Sequence, residues 1–312
     1  MVEAHERERK QRMERQRIFI DDILSNENMN RAYKQVIKNK GAAGIDGMEC
    51  NDLLSHLKVN GHQLRESIRN QSYKPMPVKR VEIPKDNGSK RKLGIPTVTD
   101  RMIQQAAAQV LTPIYERKFH TNSYGFRPGK SAQQAVLKAA EYMNEGYNWV
   151  VDIDLEKFFD TVEHDKMISI LNKEIKDGKT LSLIRKFLAS GVMVGEQMEE
   201  TEIGTPQGGN ISPLLANILL NELDWELESR GLRFVRYADD CIILVRSEKA
   251  ATRVMKSVTK YIENVLRLKV NKDKSRIGRP TEIQYLGFAF YYQFQEKKYR
   301  MKVPKKSLDK VK

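Results

Sequence analysis

The residues best suited to chemistry are four aspartates in two short stretches. Asp239 and Asp240 sit in FVRYADDCIILVR, residues 234–246, and Asp152 and Asp154 in WVVDIDL, residues 149–155. The apolar residues around the first pair alternate and then become a β-branched run, which predicts a hairpin with Tyr237 to Asp240 at its turn. Asp is a favoured turn residue for turn chemistry alone. The sharper alternative is a divalent-metal site, because Mg²⁺ takes carboxylate oxygens from a few protein ligands and completes its octahedron with water and phosphate. Two aspartates on a turn then need a third acid nearby. Residues 149–155 can supply it: period-two geometry sends Asp152 and Asp154 to one face. Burying an unpaired acid in an apolar strand is expensive, so both are expected at the strand's exposed end or on a metal.

The elements that must position these acids alternate irregularly. Apolar periodicity and caps predict helices over 30–39, 52–70, 100–115, 131–144, 212–230 and 247–266, and another reaching about Lys173. Residues 1–20 mix Glu and Arg at helical spacing, as an ordered helical arm or a solvated helix would. Four prolines exclude a helix over 73–96, where two strands turning at Asp86-Asn87-Gly88 carry Lys79, Arg80, Lys85, Lys90, Arg91 and Lys92 toward a phosphate or along a protected edge. Phe187 to Glu202 predicts a hairpin around Gly195, Leu268 to Val270 a short strand, and 283–288 and 290–294 the last strands. Gly125-Phe-Arg-Pro-Gly129-Lys130-Ser131 lacks the spacing of a P-loop and reads as a loop feeding a helix. The pattern fits an α+β fold, a sheet covered by helices on one face. If the strand of Asp154 lies beside the turn of Asp239 and Asp240, three carboxylates meet at one sheet edge, where two Mg²⁺ ions could support in-line phosphoryl transfer.

Composition narrows the partners. The chain has 312 residues, 40% hydrophobic, with a formal net charge of +14. That length allows one large domain or two subdomains with a real core. The charge, concentrated in 74–92, 267–279 and 297–312, favours nucleic acid as partner. No apolar run approaches the length of a membrane-spanning helix. Two cysteines, Cys50 and Cys241, form neither a disulfide framework nor zinc spacing, which fits a reducing cytosol.

Eight blocks then occur in a familiar order: GAAGIDG, PVKRVEIPKDNGSKRKLGIPTVTDR, SYGFRPGKSAQQA, DLEKFFDTVEH, GTPQGGNISPLLANILLNELD, RYADD, LKVNKDKSRI and YLGF. In these blocks the chain resembles the reverse-transcriptase portion of group II intron-encoded proteins, the maturases. The resemblance implies a right-hand polymerase fold of fingers and palm, with an antiparallel palm sheet backed by helices. It also implies RNA-directed DNA synthesis from dNTPs on an RNA template with a DNA or RNA primer. Two Mg²⁺ ions are the implied cofactor, with Mn²⁺ as a substitute. Binding of intron RNA would assist splicing and retrotransposition in a cytoplasmic ribonucleoprotein; a homodimer is left open.

The implied anatomy is an N-terminal helical extension at 1–40, fingers at 41–148 with the basic hairpin 78–96, and palm at 149–295 with 165–203 open to a fingers contribution. Residues 296–312 would begin a truncated thumb, so the thumb is expected to be absent and processivity weak. By the same resemblance Asp154, Asp239 and Asp240 are the catalytic metal ligands, with the backbone of Leu155 beside them and Asp152 structural. Phe159 would exclude ribonucleotides, Lys85 and Arg91 would grip the triphosphate, Gln207 would line the nucleotide site, and Lys274 would act on leaving pyrophosphate. An RNA-binding splicing factor with secondary catalysis is the competing function. An RNA-templated RNA polymerase is disfavoured by Phe159.

Overall fold

The strand that carries Asp152 is an inner member of a four-stranded antiparallel sheet. The computed structural model describes residues 19–84, 88, 90–195, 197–199, 203–204 and 208–304. From the N-terminal side these form α1 (Phe19–Ile23), α2 (Asn26–Asn39), α3 (Leu53–Arg69), β1 (Val78–Pro84), β2 (Lys90–Ile95), α4 (Val98–Glu116) and α5 (Ala132–Asn144). Next come β3 (Trp149–Ile153), α6 (Phe158–Thr161), α7 (His164–Leu171), α8 (Gly178–Leu188), β4 (Val192–Val194) and β5 (Gln197–Glu199). The chain continues through α9 (Ser212–Ser229), β6 (Arg233–Tyr237), β7 (Asp240–Val245), α10 (Glu248–Asn264), β8 (Arg276–Gly278), β9 (Gln284–Tyr285), β10 (Phe288–Gln293) and β11 (Lys298–Lys302). Residues 1–117 with 159–215 make one compact unit, and 118–158 with 216–312 a second.

In the first unit α2 packs on α4, burying Met29, Ala32 and Val36 with Met102, Ile103, Ala106 and Leu111. Asn28 is a polar member of this core; its Nδ2 donates to the carbonyls of Ile23 and Ala106, which removes the penalty of burying an unpaired amide. The helix expected from residue 100 starts two residues earlier, at Val98, because Thr97 caps α4, its Oγ1 accepting from the Asp100 amide at 3.1 Å. Asp100 accepts from Tyr73 Oη at 2.6 Å and the Met76 amide at 3.2 Å. The basic hairpin forms as expected, with β1 and β2 antiparallel from Lys79↔Ile95 to Pro84↔Lys90. The Asp86 and Asn87 of its expected turn lie outside the described residues, as does nearly all of the expected helical arm at 1–20. The hairpin joins β4 and β5 in the order β2-β1-β4-β5, with β4 parallel to β1.

The hairpin around Gly195 is shorter than expected. Phe187 is helical, because Thr180, Leu183, Ile184, Phe187 and Leu188 form one buried stripe on α8, started by Asp177 as N-cap.

The second unit holds the sheet β6-β7-β3-β8, with every neighbouring pair antiparallel, and a separate sheet β11-β10-β9. Val136, Ala139 and Met143 of α5 form a cluster with Val150, Val235, Ile242 and Leu244 of the larger sheet. Cross-strand partners share a face, so the other face carries Ile153, Cys241 and Arg236. That face meets α9, as described below, so helices cover both faces and not one; each face has its own set of inward residues. Leu268 to Val270 is not a strand, only a bridge from Val270 to Leu155, and the ladder against β3 is made by Arg276–Gly278. The expected strands 283–288 and 290–294 are broken differently, at a turn where Leu286 and Gly287 both have positive φ, 51° and 81°. Among the described residues no helix is long and apolar enough to cross a membrane.

Candidate active site

The Asp239-Asp240 stretch is a hairpin turn. Tyr237 pairs with Asp240 across β6 and β7, leaving Ala238 and Asp239 as a two-residue loop. Ala238 has φ of 56°, in the left-handed range that Gly adopts more readily than a residue with a side chain. A side chain there costs about 1–2 kcal/mol. Arg236 holds the turn. Its Nη1 donates to Ala238 O at 2.8 Å and to Asn217 Oδ1 at 2.9 Å, and its Nη2 to Ser123 Oγ at 2.7 Å. Its Nε and Nη2 form a bidentate pair with Asp224 of α9 at 2.7 and 2.6 Å. Both partners of the pair are fully buried, and all five guanidinium donors are used. The backbone of Gly125 lies against the same turn: a Cβ there would sit 2.2 Å from Ala238 N. Asn217 Nδ2 donates to Gly125 O at 2.8 Å, which fixes that close approach.

Asp154 is the residue immediately beyond β3. Ile153 is paired with Cys241, so one further step along the ladder sets Asp154 opposite Asp240, on the face shared with Asp152. The backbone at Asp154 is tied on both sides. Its amide donates to Ser275 Oγ at 3.0 Å, and its carbonyl accepts from the Asn271 amide at 2.9 Å. Its carboxylate lies 3.8 Å from Lys274 Nζ. Asp152 faces Arg276 directly in the β3–β8 register, and their side chains meet at 3.4 Å. Leu155 is buried and bridges to Val270.

Desolvation and then the negative charges of Asp239, Asp152 and Asp154 push the Asp240 carboxyl up to about 6, with Lys274 opposing them. Desolvation also raises Asp152, against the pull of Arg276. These carboxylates therefore act on one another electrostatically, and a cation between them would relieve the repulsion. As the side chains stand, no three His, Cys, Asp or Glu among the described residues close around a common point, so the protein alone offers no finished metal cage.

The remaining expected site residues belong to the first unit. Phe159 is half-buried on α6, and Arg91 is exposed on β2, paired with Ile83. Lys85 and Gln207 lie outside the described residues. Gly208, with φ of 111°, presses on the strand that carries Arg91: a Cβ there would come within 2.4 Å of Gly94 O. The residues missed by the sequence reading are the supports, Arg236, Asp224, Asn217, Ser275 and Gly125. Arg236 carried a signal, because alternation places it on the same inward face as Phe234, and a buried guanidinium demands an acid.

An antiparallel sheet with aspartates crowded at one end, flanked by a lysine, is an arrangement that can gather divalent cations and phosphate oxygens, as the palm of a nucleotide-joining polymerase does. Residues 83–290 match the family described as reverse transcriptase (RNA-dependent DNA polymerase), and the chain belongs to that family, whose members use divalent metal ions. It is 32% identical to Protein YkfC of Escherichia coli K12, covering 86% of this chain and 80% of that protein. It is also 32% identical to the group II intron-encoded protein LtrA of Lactococcus lactis subsp. cremoris, covering 82% of this chain and 54% of LtrA. Among solved structures it resembles a chain of a partial Cas6-RT-Cas1–Cas2 complex, at 26% identity and a TM-score of 0.51, over 81% of this chain and 44% of that one. The chain thus spans about half the length of LtrA.

Proposed function

We propose that this chain copies an RNA template into DNA as the fingers and palm of a group II intron-type reverse transcriptase, and that it binds intron RNA and assists splicing and retrotransposition. The observation that carries the polymerase reading is the β3–β7 ladder ending at Ile153 opposite Cys241, which leaves Asp154 at the same end of the sheet as the Asp239-Asp240 turn, close enough for its charge to act on Asp240. The likeness to LtrA supports the intron association.

Asp154, Asp239 and Asp240 would hold two Mg²⁺ ions, with the Leu155 carbonyl as a further ligand. The donor set fits: hard carboxylate oxygens, one of them with a raised affinity for positive charge. Mg²⁺ needs only one or two carboxylates per ion when substrate phosphates and water complete the shell, so a preformed protein cage is not required. When bound, the metal lowers the pKa of the primer 3′-hydroxyl and offsets charge on the leaving pyrophosphate.

Around that chemistry Lys274, already beside Asp154, supplies positive charge and a proton for the leaving pyrophosphate. Lys85 and Arg91 would bind the triphosphate, Gln207 would line the nucleotide site, and Phe159 would stand against a ribose 2′-hydroxyl and select dNTPs. Primer extension on an RNA template with Mg²⁺ tests the reading. Wild type is expected to incorporate dNTPs and reject rNTPs, and Asp239→Ala to lose incorporation while keeping its RNA affinity. Undiminished synthesis by that variant would defeat the proposal.

A further inference from the structure

The end of the palm sheet away from the aspartates carries a second concentration of charge. Trp149 pairs with Val245, and Arg233 with Leu244, so the first residues of β3 and β6 and the last of β7 end together, joined by Gly278 of β8 opposite Val150. Three arginines stand at this end of the sheet: Arg233, whose partner Leu244 is on the α5 face, Arg246 just beyond β7, and Arg279 just beyond β8, which lies on Trp149 of the other face, so together they wrap the sheet's end. Each is laid on an aromatic ring. Arg246 Cζ lies 4.3 Å from the Tyr147 centroid and Arg279 Cζ 4.3 Å from that of Trp149. Arg233 Cζ lies 5.8 Å from the ring of Tyr142 and 6.0 Å from that of Tyr147.

Other arginines of this unit are matched to acids, among them Arg230 to Glu226, Arg236 to Asp224 and Arg276 to Asp152. Among the described residues, none of these three is ion-paired. Glu282, the acid next to Arg279, spends Oε2 on the Arg279 backbone amide at 2.7 Å. Arg233 Nε is buried and has no hydrogen-bond partner among the described residues, so its more outward Nη groups are the ones left for an acceptor. Stacking holds the guanidinium groups in place; Arg279 gives Nη1 to Asn148 O at 3.3 Å and keeps its other donors, an arrangement suited to capture of phosphate oxygens.

We propose that Arg233, Arg246 and Arg279 form a second docking surface for the phosphate backbone of RNA. It rests on the reading of the chain as a nucleic-acid polymerase, and it places a different stretch of nucleic acid there than the one being copied. Trp149 opens β3 and Asp154 follows its last residue, five residues on, roughly 17 Å at strand rise, which is several nucleotides from the chemistry. Phosphate is favoured over an acidic polypeptide because the guanidinium groups are fixed as planar forks on their rings and the whole chain carries +14.

The test compares wild type with the triple variant R233Q/R246Q/R279Q, using a folded RNA hairpin as binding probe and a short primer-template as activity probe. The triple variant should bind the hairpin about tenfold more weakly at physiological salt, and its slope of log affinity against log salt should be shallower by about two to three, one counterion-release increment per lost contact. Extension of the short primer-template should be unchanged, which separates this outcome from failure of the polymerase reading itself. Tyr147→Leu, which keeps the charge and removes a stacking ring, should weaken hairpin binding by a smaller factor, measured well below its melting temperature because Tyr147 also packs against the core. Equal hairpin affinity and salt slope in wild type and triple variant overturn the proposal, as does loss of binding to polyglutamate alone. If the triple variant does not fold, Tyr147→Leu and the single Arg246→Gln decide the matter by the same two readouts.

Discussion

Arg236 donates from Nη1 to the carbonyl oxygen of Ala238, two residues further along the chain, at 2.8 Å. A guanidinium on one face of the sheet thus grips the backbone of the turn whose aspartates lie at the sheet's end. Asp224 neutralises it, and Asn217 and Ser123 use its remaining donors. The strained Ala238 is held from beneath by this network and from the side by the Gly125 backbone.

Removing the guanidinium leaves Asp224 charged and buried. Arg236→Met should destabilise the protein by about 3–5 kcal/mol, read from chemical denaturation. Arg236→Lys keeps the charge and loses the fork. Measured well below its melting temperature, it should show a lower rate of dNTP incorporation with dNTP KM little changed, since the turn is displaced while the nucleotide contacts remain. An unchanged rate at that temperature would reduce Arg236 to a structural residue.

Gly125→Ala puts a Cβ where only backbone fits, 2.2 Å from Ala238 N. Overpacking of this kind costs about 1–3 kcal/mol. The expected result is a folded protein with a modestly lower melting temperature and a disproportionate loss of single-turnover incorporation, because the atoms that must move belong to the acidic turn.

The Asp240 carboxyl, pushed up to about 6, makes stability depend on pH. Between its ordinary value near 4 and about 6 the folded protein holds a proton that the unfolded chain has released, so this group's contribution falls as pH rises through that window. Asp240→Asn should therefore be more stable than wild type at pH 7.5 in the absence of divalent ions, and the difference should shrink toward zero near pH 4. Paired denaturation curves at the two pH values check the sign.

Divalent cations should reverse that penalty. Mg²⁺ should raise the melting temperature of wild type at pH 7.5, with the shift declining below pH 6 as protons compete for the same oxygens. Asp239→Ala should shrink the shift, and EDTA should abolish both it and dNTP incorporation. A melting temperature indifferent to Mg²⁺ at pH 7.5 would count against metal binding at these aspartates.

Replacing Phe159 with Ala should admit ribonucleotides. The ratio of dNTP to rNTP incorporation efficiency should fall by roughly ten- to a hundredfold, the scale of discrimination that a single apolar contact can provide. Competitive primer extension reads the ratio directly.

Much of this architecture could be read from local pattern. The alternation in 149–155 and 234–246 placed strands and a turn correctly, and the hairpin 78–96 formed with its proline-bounded strands. The helices expected over 131–144 and 247–266 both form, and the Ser131 and Ser247 side chains cap them by accepting from the third residue on. The errors fell where two local signals competed. Phe187 followed the helical stripe of α8 and not the strand pattern beyond it, and the short strand expected at Leu268 to Val270 is only a bridge, the strand lying instead at Arg276–Gly278, where a charged residue concealed it.

By itself the sequence determined the acidic turn, the shared face of Asp152 and Asp154, the basic balance and the ordered blocks of a reverse transcriptase. These depend on neighbours within a few residues, where period and turn chemistry act. Tertiary structure decided that β3 lies between β7 and β8, that Asp154 comes opposite Asp240, that Arg236 finds Asp224, and that three arginines gather at the far end of the sheet. Strand order and register are set by which apolar faces bury each other across long separations, and a residue's own neighbours in sequence carry little record of that choice.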